Sequence, residues 1–576
     1  MNNIIKKVNK KKPFLFAAGG IFILANLFAV LFISQERFIY FWDFITYWSK
    51  YVYLNEHFIG DTVNALETVF WSVREDNYNY LAACPLIPFG LLFGTSRLAY
   101  ILSVVNIYAL PAVYTLFLVH KKMVGDGKNT PLVIFLVTAG VSLLSPDLWN
   151  PILFGFLDVG GVLLTNLIFL LYLKNPYSKQ RTRDLLLIAV PVALLVLFRR
   201  WYAFWGISFY FVLFLEIFLT AVLTRPIDVK QLVTNLLKLV AEGLVSAVIF
   251  FAAAPTLAKR ILGTDYTDLN SAYRRSENYF QSFEVILQSF GLLYFSLFVL
   301  GSIAALINKR TRKFAMFILV QSLVIFVLFA RTQDFDSHHR YLLLPTVLLF
   351  ASLFLVDLFG KIKNLKLSAL VGTGLAALFV LNFLTAFGPS KIGGPRKTYP
   401  EVFTNIRHQP LVRNDFNEIE KMLTVLTQLL TDPDDKVYVL ASSDTLNGNL
   451  LNSSWMNFPQ HRNICKRVLK TSDIDIRHGF PRDLMKASYV LVGDPIQYHM
   501  NPKNQRVVGV PAGLFLEGKG IATSFEKLPY EFDLDSNVKI YLYKKIKPIP
   551  DADAAALSEM LKQYYPGREN VYKIKE

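Results

Sequence analysis

Metal and redox chemistry have little to work with in this sequence. It holds two cysteines in 576 residues, Cys84 and Cys465, and neither stands in a spacing that binds zinc or cycles a disulfide. A disulfide between them is conceivable, but two unrelated buried thiols is the better reading. Walker, Rossmann and serine-nucleophile patterns are missing too. Gly518-Lys519-Gly520 is a lone glycine pair and establishes no nucleotide site. There is no internal repeat with paired broken helices, which counts against a secondary transporter. From about residue 390 onward the long apolar runs stop, and charged residues, Pro, Asn and Asp return.

What precedes that boundary is strongly apolar. Hydrophobic residues make up 53% of the chain, with a mean hydropathy of +0.38, where a soluble domain rarely exceeds about half. Runs long enough to span a bilayer recur. In lipid every backbone amide must be satisfied within its own segment, so such runs become helices. The spans fall at roughly 13–34, 97–119, 130–145, 152–173, 185–199, 201–223, 239–257, 285–307, 314–330, 342–359 and 367–387. Lysines at 6, 7 and 10–12 precede the first run and no small-residue cleavage site follows it, so it reads as a retained helix.

The formal charge of +17 is topological and does not signal nucleic acid. Short loops holding Lys121 and Lys122, Lys174 and Arg181, Arg225 and Lys230, Lys309 and Arg310, and Lys361 and Lys363 fall on the N-terminal side. The positive-inside rule makes that side cytoplasmic. Eleven spans put the C-terminus outside. The fold class is therefore a polytopic α-helical membrane protein, N-in and C-out, with residues 1–390 as the membrane module, a first outer loop at 35–96, and residues 391–576 as an extracytoplasmic α/β domain. That domain shows a helical period over Phe416–Leu430 and strand-like runs at Val437–Leu440, Tyr489–Val492 and Val538–Tyr543.

The outer loops carry the chemistry. Asp43 stands alone among aromatics just after the first span, where poor solvation would raise its pKa and suit it to act as a base; a helix-capping role is equally consistent. Asp147 sits in Ser145-Pro146-Asp147-Leu148-Trp149-Asn150-Pro151, where an ordinary turn competes with a site. Asp158 lies inside the predicted 152–173 span, a depth at which an ionisable group is a site candidate. Arg199 and Arg200 lie off the cytoplasmic side. Their forks suit phosphate, and snorkelling to headgroups is the alternative. Arg331 to Pro345 packs Asp334, Asp336, His338, His339, Arg340 and Tyr341 together, best read as an anion-binding mouth centred on Arg340. Arg275 adds charge in the middle outer loop. No motif requires a cofactor; a metal site could be built from His338, His339 and Asp336, but adjacent histidines point apart on a helix and support it poorly. Six tryptophans, at 42, 48, 71, 149, 201 and 205, cluster near the outer interface, which an aromatic belt explains for the most part. Leu81–Phe93, broken by Pro85 and Pro88, reads as an interfacial helix.

The order of these features resembles the GT-C membrane glycosyltransferases of the protein-mannosyltransferase type, the superfamily that includes the lipid A aminoarabinose transferase. Asp43 follows the first helix. Pro85-Leu86 through Phe93-Gly94-Thr95-Ser96-Arg97 resembles the family's Pro-Leu…Phe-Gly-x-Ser…Arg passage. Pro151, Gly155 and Asp158 follow, and His339-Arg340-Tyr341-Leu342-Leu343-Leu344-Pro345 resembles its His-x-Arg-Tyr-Leu-Leu-Pro element without the spacer. Asp43 is followed by Phe44 where the eukaryotic protein mannosyltransferases have a second acid, which counts against a protein acceptor.

The resemblance implies a bacterial enzyme of the plasma membrane. It would move a sugar, with inversion, from a polyprenyl-phosphate donor to an envelope glycan, lipid or polymer on the outer face. Asp43 would be the base, Asp158 or Asp147 would orient the acceptor or, with His338, bind a divalent cation, and Arg340, His339, Arg199, Arg200, Arg275 and Tyr341 would hold the donor phosphate. The competing readings are a flippase for a lipid-linked substrate and a non-catalytic envelope-assembly protein.

Overall fold

The computed structural model describes residues 2–125, 130–174, 182–224, 226–264, 271–273, 276–389 and 402–574. The chain forms two compact units. One comprises Met1–Gln35, Tyr47–Thr264 and Arg275–Pro410; the other comprises Glu36–Thr46, Asp265–Arg274 and Leu411–Glu576.

The first unit is helical. In order its helices are α1 (Asn2–Ile33), α2 (Asp43–Gly60, whose first turn belongs to the second unit), α3 (Thr62–Glu75), α4 (Ile87–Phe93), α5 (Arg97–Val104) and α6 (Leu110–Val124), the last two joined by a π turn. Then come α7 (Pro131–Leu143), α8 (Pro146–Phe154), α9 (Val159–Lys174), α10 (Thr182–Phe198), α11 (Tyr202–Leu223), α12 (Val229–Ala253) and α13 (Pro255–Gly263). The remainder are α14 (Tyr279–Ile307), α15 (Arg312–Thr332), α16 (Leu344–Lys361) and α17 (Leu365–Phe387). Among the described residues eight helices are long and apolar enough to cross a membrane; α7 and α8, bent by 54°, make a ninth if they count as one span, while α9 and Leu186–Phe198 are shorter apolar helices. Each of the eleven spans read from the sequence overlaps one or more of these helices.

Two boundaries move, for visible reasons. The span placed at 239–257 starts ten residues earlier, because Asp228 caps α12 by accepting from the Gln231 amide at 2.9 Å. It stops at Ala253 because Pro255 opens α13. The span placed at 152–173 is not one helix. α8 ends at Gly155 and α9 begins at Val159, so Asp158 occupies a break between helices instead of the middle of one. The aromatic belt also fails for most of its members. Trp48, Trp149, Trp201 and Trp205 are buried and only Trp71 is clearly exposed. Trp48 and Trp149 spend their indole N–H on the carbonyls of Thr95 and Leu143, at 2.9 and 2.7 Å.

The second unit is a four-stranded sheet in the order β1-β2-β4-β3, with β1 (Val437–Leu440) parallel to β2 (Tyr489–Asp494), and β4 (Val538–Lys545) antiparallel to both β2 and β3 (Phe525–Leu534). β1, β2 and β4 are the three runs expected. β3 escapes sequence reading because its alternation breaks at Leu528-Pro529-Tyr530, where the register shifts. One face of the sheet packs on α18 (Phe416–Leu429) through Ile419, Met422, Leu423 and Leu426. The other packs on α19 (Arg506–Glu517) and α20 (Asp551–Lys562) through Val507, Val508, Phe515, Leu557 and Leu561.

A boundary at 390/391 takes no account of residues 36–46, which belong to this unit. Ile39 and Phe41 enter its first core, Arg37 bridges Val412, and the Ser453 hydroxyl donates to the Tyr40 carbonyl at 2.6 Å. Truncating a phenylalanine buried to this degree costs about 3–5 kcal/mol. Phe41→Ala is therefore expected to lower the chemical-unfolding midpoint of the second unit. An unchanged midpoint would show that the segment only rests on the domain.

Candidate active site

In the first unit, three chain breaks meet: the Gly155–Asp158 turn, the Arg199–Trp201 turn between α10 and α11, and the Gln333–Leu343 stretch between α15 and α16. Asp158 is fully buried. Its Oδ1 accepts from Arg199 Nε at 2.9 Å and from the Trp201 indole N–H at 2.8 Å, and its backbone carbonyl accepts from the Tyr202 hydroxyl at 2.8 Å. That last bond needs Gly161. A Cβ there would lie 2.1 Å from the Tyr202 ring, so only glycine lets α11 approach α9 this closely.

Arg199 is buried as well. Its Nη1 donates to the Tyr47 hydroxyl, and its guanidinium lies 3.9 Å over the Trp201 ring and 5.1 Å over that of Tyr78. Burial would by itself strip its proton; the charge of Asp158, with Tyr47 and Tyr78, more than offsets that and holds it ionised.

A second pair stands beside the first. Pro146 opens α8 and places Asp147 in its first turn. Asp147 Oδ1 accepts from Arg340 Nε at 2.6 Å and from the Ser289 hydroxyl at 2.7 Å. Arg340 Nη1 donates to the Phe335 carbonyl at 3.0 Å. Tyr341 donates its hydroxyl to the Leu148 carbonyl at 2.5 Å, so it is a strut between the breaks and offers no free group for phosphate.

His338 and His339 complete the centre. His338 stacks on Phe156 at 4.1 Å and lies 5.1 Å from the Trp201 ring; His339 meets Trp201 edge-on at 4.9 Å. Burial, then the Arg199 charge, with smaller contributions from Arg200 and Arg340, pushes His339 down to about 3. Burial and the neighbouring His339, Arg199 and Arg340 push His338 well down. Both imidazoles are neutral at physiological pH. His339 can therefore meet a phosphate only as a hydrogen-bonding group and not as a cation.

Four buried polar atoms here lack a hydrogen-bond partner among the described residues: Asp158 Oδ2, Arg199 Nη2, His338 Nδ1 and His339 Nδ1. Each such atom costs about 1–3 kcal/mol, and four together in one place mark a centre built for something that supplies the missing bonds.

The charge balance departs from the sequence reading. Arg199 and Arg340 were expected to offer free positive charge, yet each is neutralised by a carboxylate. Asp147 and Asp158, two of the three residues considered for a cation, are each engaged by an arginine. Among the described residues no group of three or more His, Cys, Asp or Glu could hold a metal ion. Arg200 is half-buried beside Trp201, at 5.9 Å from its ring. Arg275 lies outside the described residues. Sequence reading missed Tyr47, Tyr202 and Ser289. Tyr47 could have been found, as it stands in the aromatic run that starts at Phe41; nothing around Ser289 flags it.

Asp43 belongs to the second unit. It is half-buried and opens α2, the place that the capping alternative describes. Its carboxylate is among the charges felt by the Tyr273 hydroxyl, which accepts from Arg477 Nη1 at 3.0 Å. Trp42, just before it, holds φ at +49°, a left-handed conformation that is strained for a tryptophan. It is kept there by its N–H bond to Asn449 Oδ1 and by its ring, 4.5 Å from that of His499. Both cysteines are free thiols.

No protein-family model matches the chain, and no curated protein matches it in sequence. Among solved structures it is similar to ArnT from Cupriavidus metallidurans. In the apo state the identity is 12%, over 91% of this chain and 98% of that one, with a TM-score of 0.48. For the form bound to undecaprenyl phosphate it is 12%, over 90% and 97%, with a TM-score of 0.46. It is also similar to the Archaeoglobus fulgidus oligosaccharyltransferase in complex with Zn and sulfate, at 12% identity over 82% of this chain and 67% of that one, with a TM-score of 0.38.

Proposed function

We propose that the protein is a membrane glycosyltransferase of the GT-C type that moves a sugar from a polyprenyl-phosphate donor to an envelope acceptor on the extracytoplasmic face. The observation that carries this reading is the centre around Trp201: two buried arginine–carboxylate pairs, neutral imidazoles and four unsatisfied polar atoms, all at chain breaks between apolar helices. The sequence carries no internal repeat with paired broken helices, the arrangement from which secondary transporters build their sites.

In this reading the acceptor hydroxyl attacks the anomeric carbon from the face opposite the phosphate, and the configuration inverts. The carbon–oxygen bond to phosphate breaks, its electron pair leaves with the polyprenyl phosphate, and Asp43 takes the hydroxyl proton. The ion-paired arginines hold the chain breaks together, and Arg199 Nη2 offers a hydrogen bond to the substrate.

The test is transfer by the purified protein from a panel of polyprenyl-phosphate sugars. Wild type is expected to use at least one. Asp43→Asn is expected to lose about 10²–10⁴-fold in rate with expression intact. Near-normal turnover in that variant rules out the assigned base, and no transfer from any donor rules out the enzyme.

A further inference from the structure

A phosphate brought to the Trp201 centre meets an electrostatic difficulty. The guanidinium groups of Arg199 and Arg340 already carry carboxylates at 2.9 and 2.6 Å, and all four side chains are buried. The two pairs together are neutral. An added phosphate charge would be uncompensated there unless a carboxylate were displaced into an apolar surround, and leaving one buried charge unpaired is strongly unfavourable. The charge that meets the phosphate has to come from a cation outside these two pairs; Arg200, half-buried beside Trp201, is one, and Lys50 on α2 is another.

Lys50 is linked to the centre through two of the residues that face Arg199. It lies on α2 one turn beyond Tyr47 and so shares its helical face, and Tyr47 is the residue that holds Arg199. Arg199 also faces Tyr78, while the Lys50 ammonium rests 3.9 Å over the ring of Tyr80, two residues further along the same loop. Lys50 is half-buried and forms no ion pair among the described residues, in contrast to both arginines. Burial lowers its pKa to about 8, against the opposing charge of Asp76. The other titratable groups at this spot are Tyr80 with Tyr53 next to it, 5.5 Å away, and His57 stacked on Tyr53 at 3.9 Å. The ammonium thus sits in aromatic surroundings that stabilise it only partly.

Resting on the transferase reading above, we propose that Lys50 is the group that binds the phosphate of the substrate at this centre. Binding there breaks no existing pair, because the phosphate replaces a cation–π contact with a charge-assisted one. The site requires the ammonium form, so affinity is full below about pH 8 and falls as pH rises above it. The donor's phosphate is a diester and stays a monoanion throughout, and the monoester of undecaprenyl phosphate is dianionic from pH 7.5 upward, its second pKa being about 6, so the decline belongs to the protein.

The experiment is calorimetric titration of the purified full-length protein with undecaprenyl phosphate and, separately, with inorganic phosphate, from pH 7.5 to 9.5. For undecaprenyl phosphate, Lys50→Met is expected to weaken binding by about tenfold or more, the worth of one charge-assisted contact. Lys50→Arg is expected to stay within about threefold of wild type and to lose the pH dependence, since arginine does not deprotonate here. That pairing separates a phosphate contact from a merely structural lysine, which arginine would not convert to a flat profile. Binding of both probes marks recognition of phosphate itself; binding of undecaprenyl phosphate alone marks a lipid-linked source, and either supports the proposal. Lys50→Met that binds as tightly as wild type with the same pH profile overturns it, as does a wild type that binds neither probe. Lys50-dependent binding without any sugar transfer would keep the site and remove the transferase reading. Transfer that needs Asp43 but not Lys50 would do the reverse.

Discussion

Asp158→Leu is expected to cost about 3–5 kcal/mol of stability, and Arg199→Met a similar amount, while the double variant recovers most of that loss and stays inactive. Each single change leaves one charge buried without its partner, and such a charge costs far more than the pair contributes. Removing Asp158 also orphans the Trp201 indole N–H, which bonds the same carboxylate oxygen as Arg199. Removing both charges leaves apolar side chains of similar bulk among Trp201, Tyr47 and Tyr202, an exchange that is often neutral or favourable. Chemical unfolding of the four proteins in detergent gives the coupling energy directly. Single variants that lose less than about 1 kcal/mol would mean that water reaches the pair and that the centre is not dry. Activity gives a second reading. If stability returns in the double variant and transfer does not, the pair is kept for chemistry and not for folding.

The helical unit was legible because bilayer physics writes it plainly: apolar length, basic loops and the return of polar residues each leave a mark in composition. Asp158, Arg199 and Arg340 were legible for the same reason, since charge in an apolar context stands out. What the sequence could not show is pairing. Arg199 and Asp158 are 41 residues apart and Arg340 and Asp147 are 193 apart, and no local pattern records which cation meets which acid. The sign of the error follows from that. Counting residues makes the outer loops of this unit a basic anion trap, whereas pairing them gives a neutral centre. Lys50 went unnoticed for the converse reason: one lysine among Tyr47, Trp48, Tyr51 and Tyr53 reads as an ordinary surface charge until Tyr80 is seen to cover it. Residues 36–46 were assigned to a loop because Ile39 and Phe41 have their core partners nearly 400 positions away.

Gly291→Ala is expected to damage the Arg340 centre from outside it. α14 is broken at Gly291, whose φ of +71° and ψ of 161° lie in a region that side-chain-bearing residues essentially do not enter. The stretch Val402–Asn405 crosses at that break and replaces the lost helical bonds. The Leu293 amide donates to the Val402 carbonyl at 3.1 Å, the Asn405 amide to the Gln288 carbonyl at 2.8 Å, and the Thr404 hydroxyl to the Ser289 carbonyl at 2.5 Å. The Asn382 side chain on α17 holds the Thr404 amide at 2.9 Å. An alanine Cβ at 291 would lie 2.6 Å from the Phe403 carbonyl carbon and 2.8 Å from the Thr404 nitrogen, and both are backbone atoms with little freedom to move away. The backbone conformation alone costs about 1–3 kcal/mol, and displacing the strap adds to it. Ser289 then loses its aim on Asp147, and Asp147 loses one of the two bonds that hold it against Arg340. Thr404→Val tests the same link without the clash, because it removes only the hydroxyl, which donates to the Ser289 carbonyl and accepts from the Ile406 amide at 3.1 Å. Both variants should melt earlier than wild type and transfer more slowly, with Gly291→Ala the worse. A Gly291→Ala protein that melts within about 1 °C of wild type would show that the strap is slack, and that the Asp147–Arg340 pair stands without it.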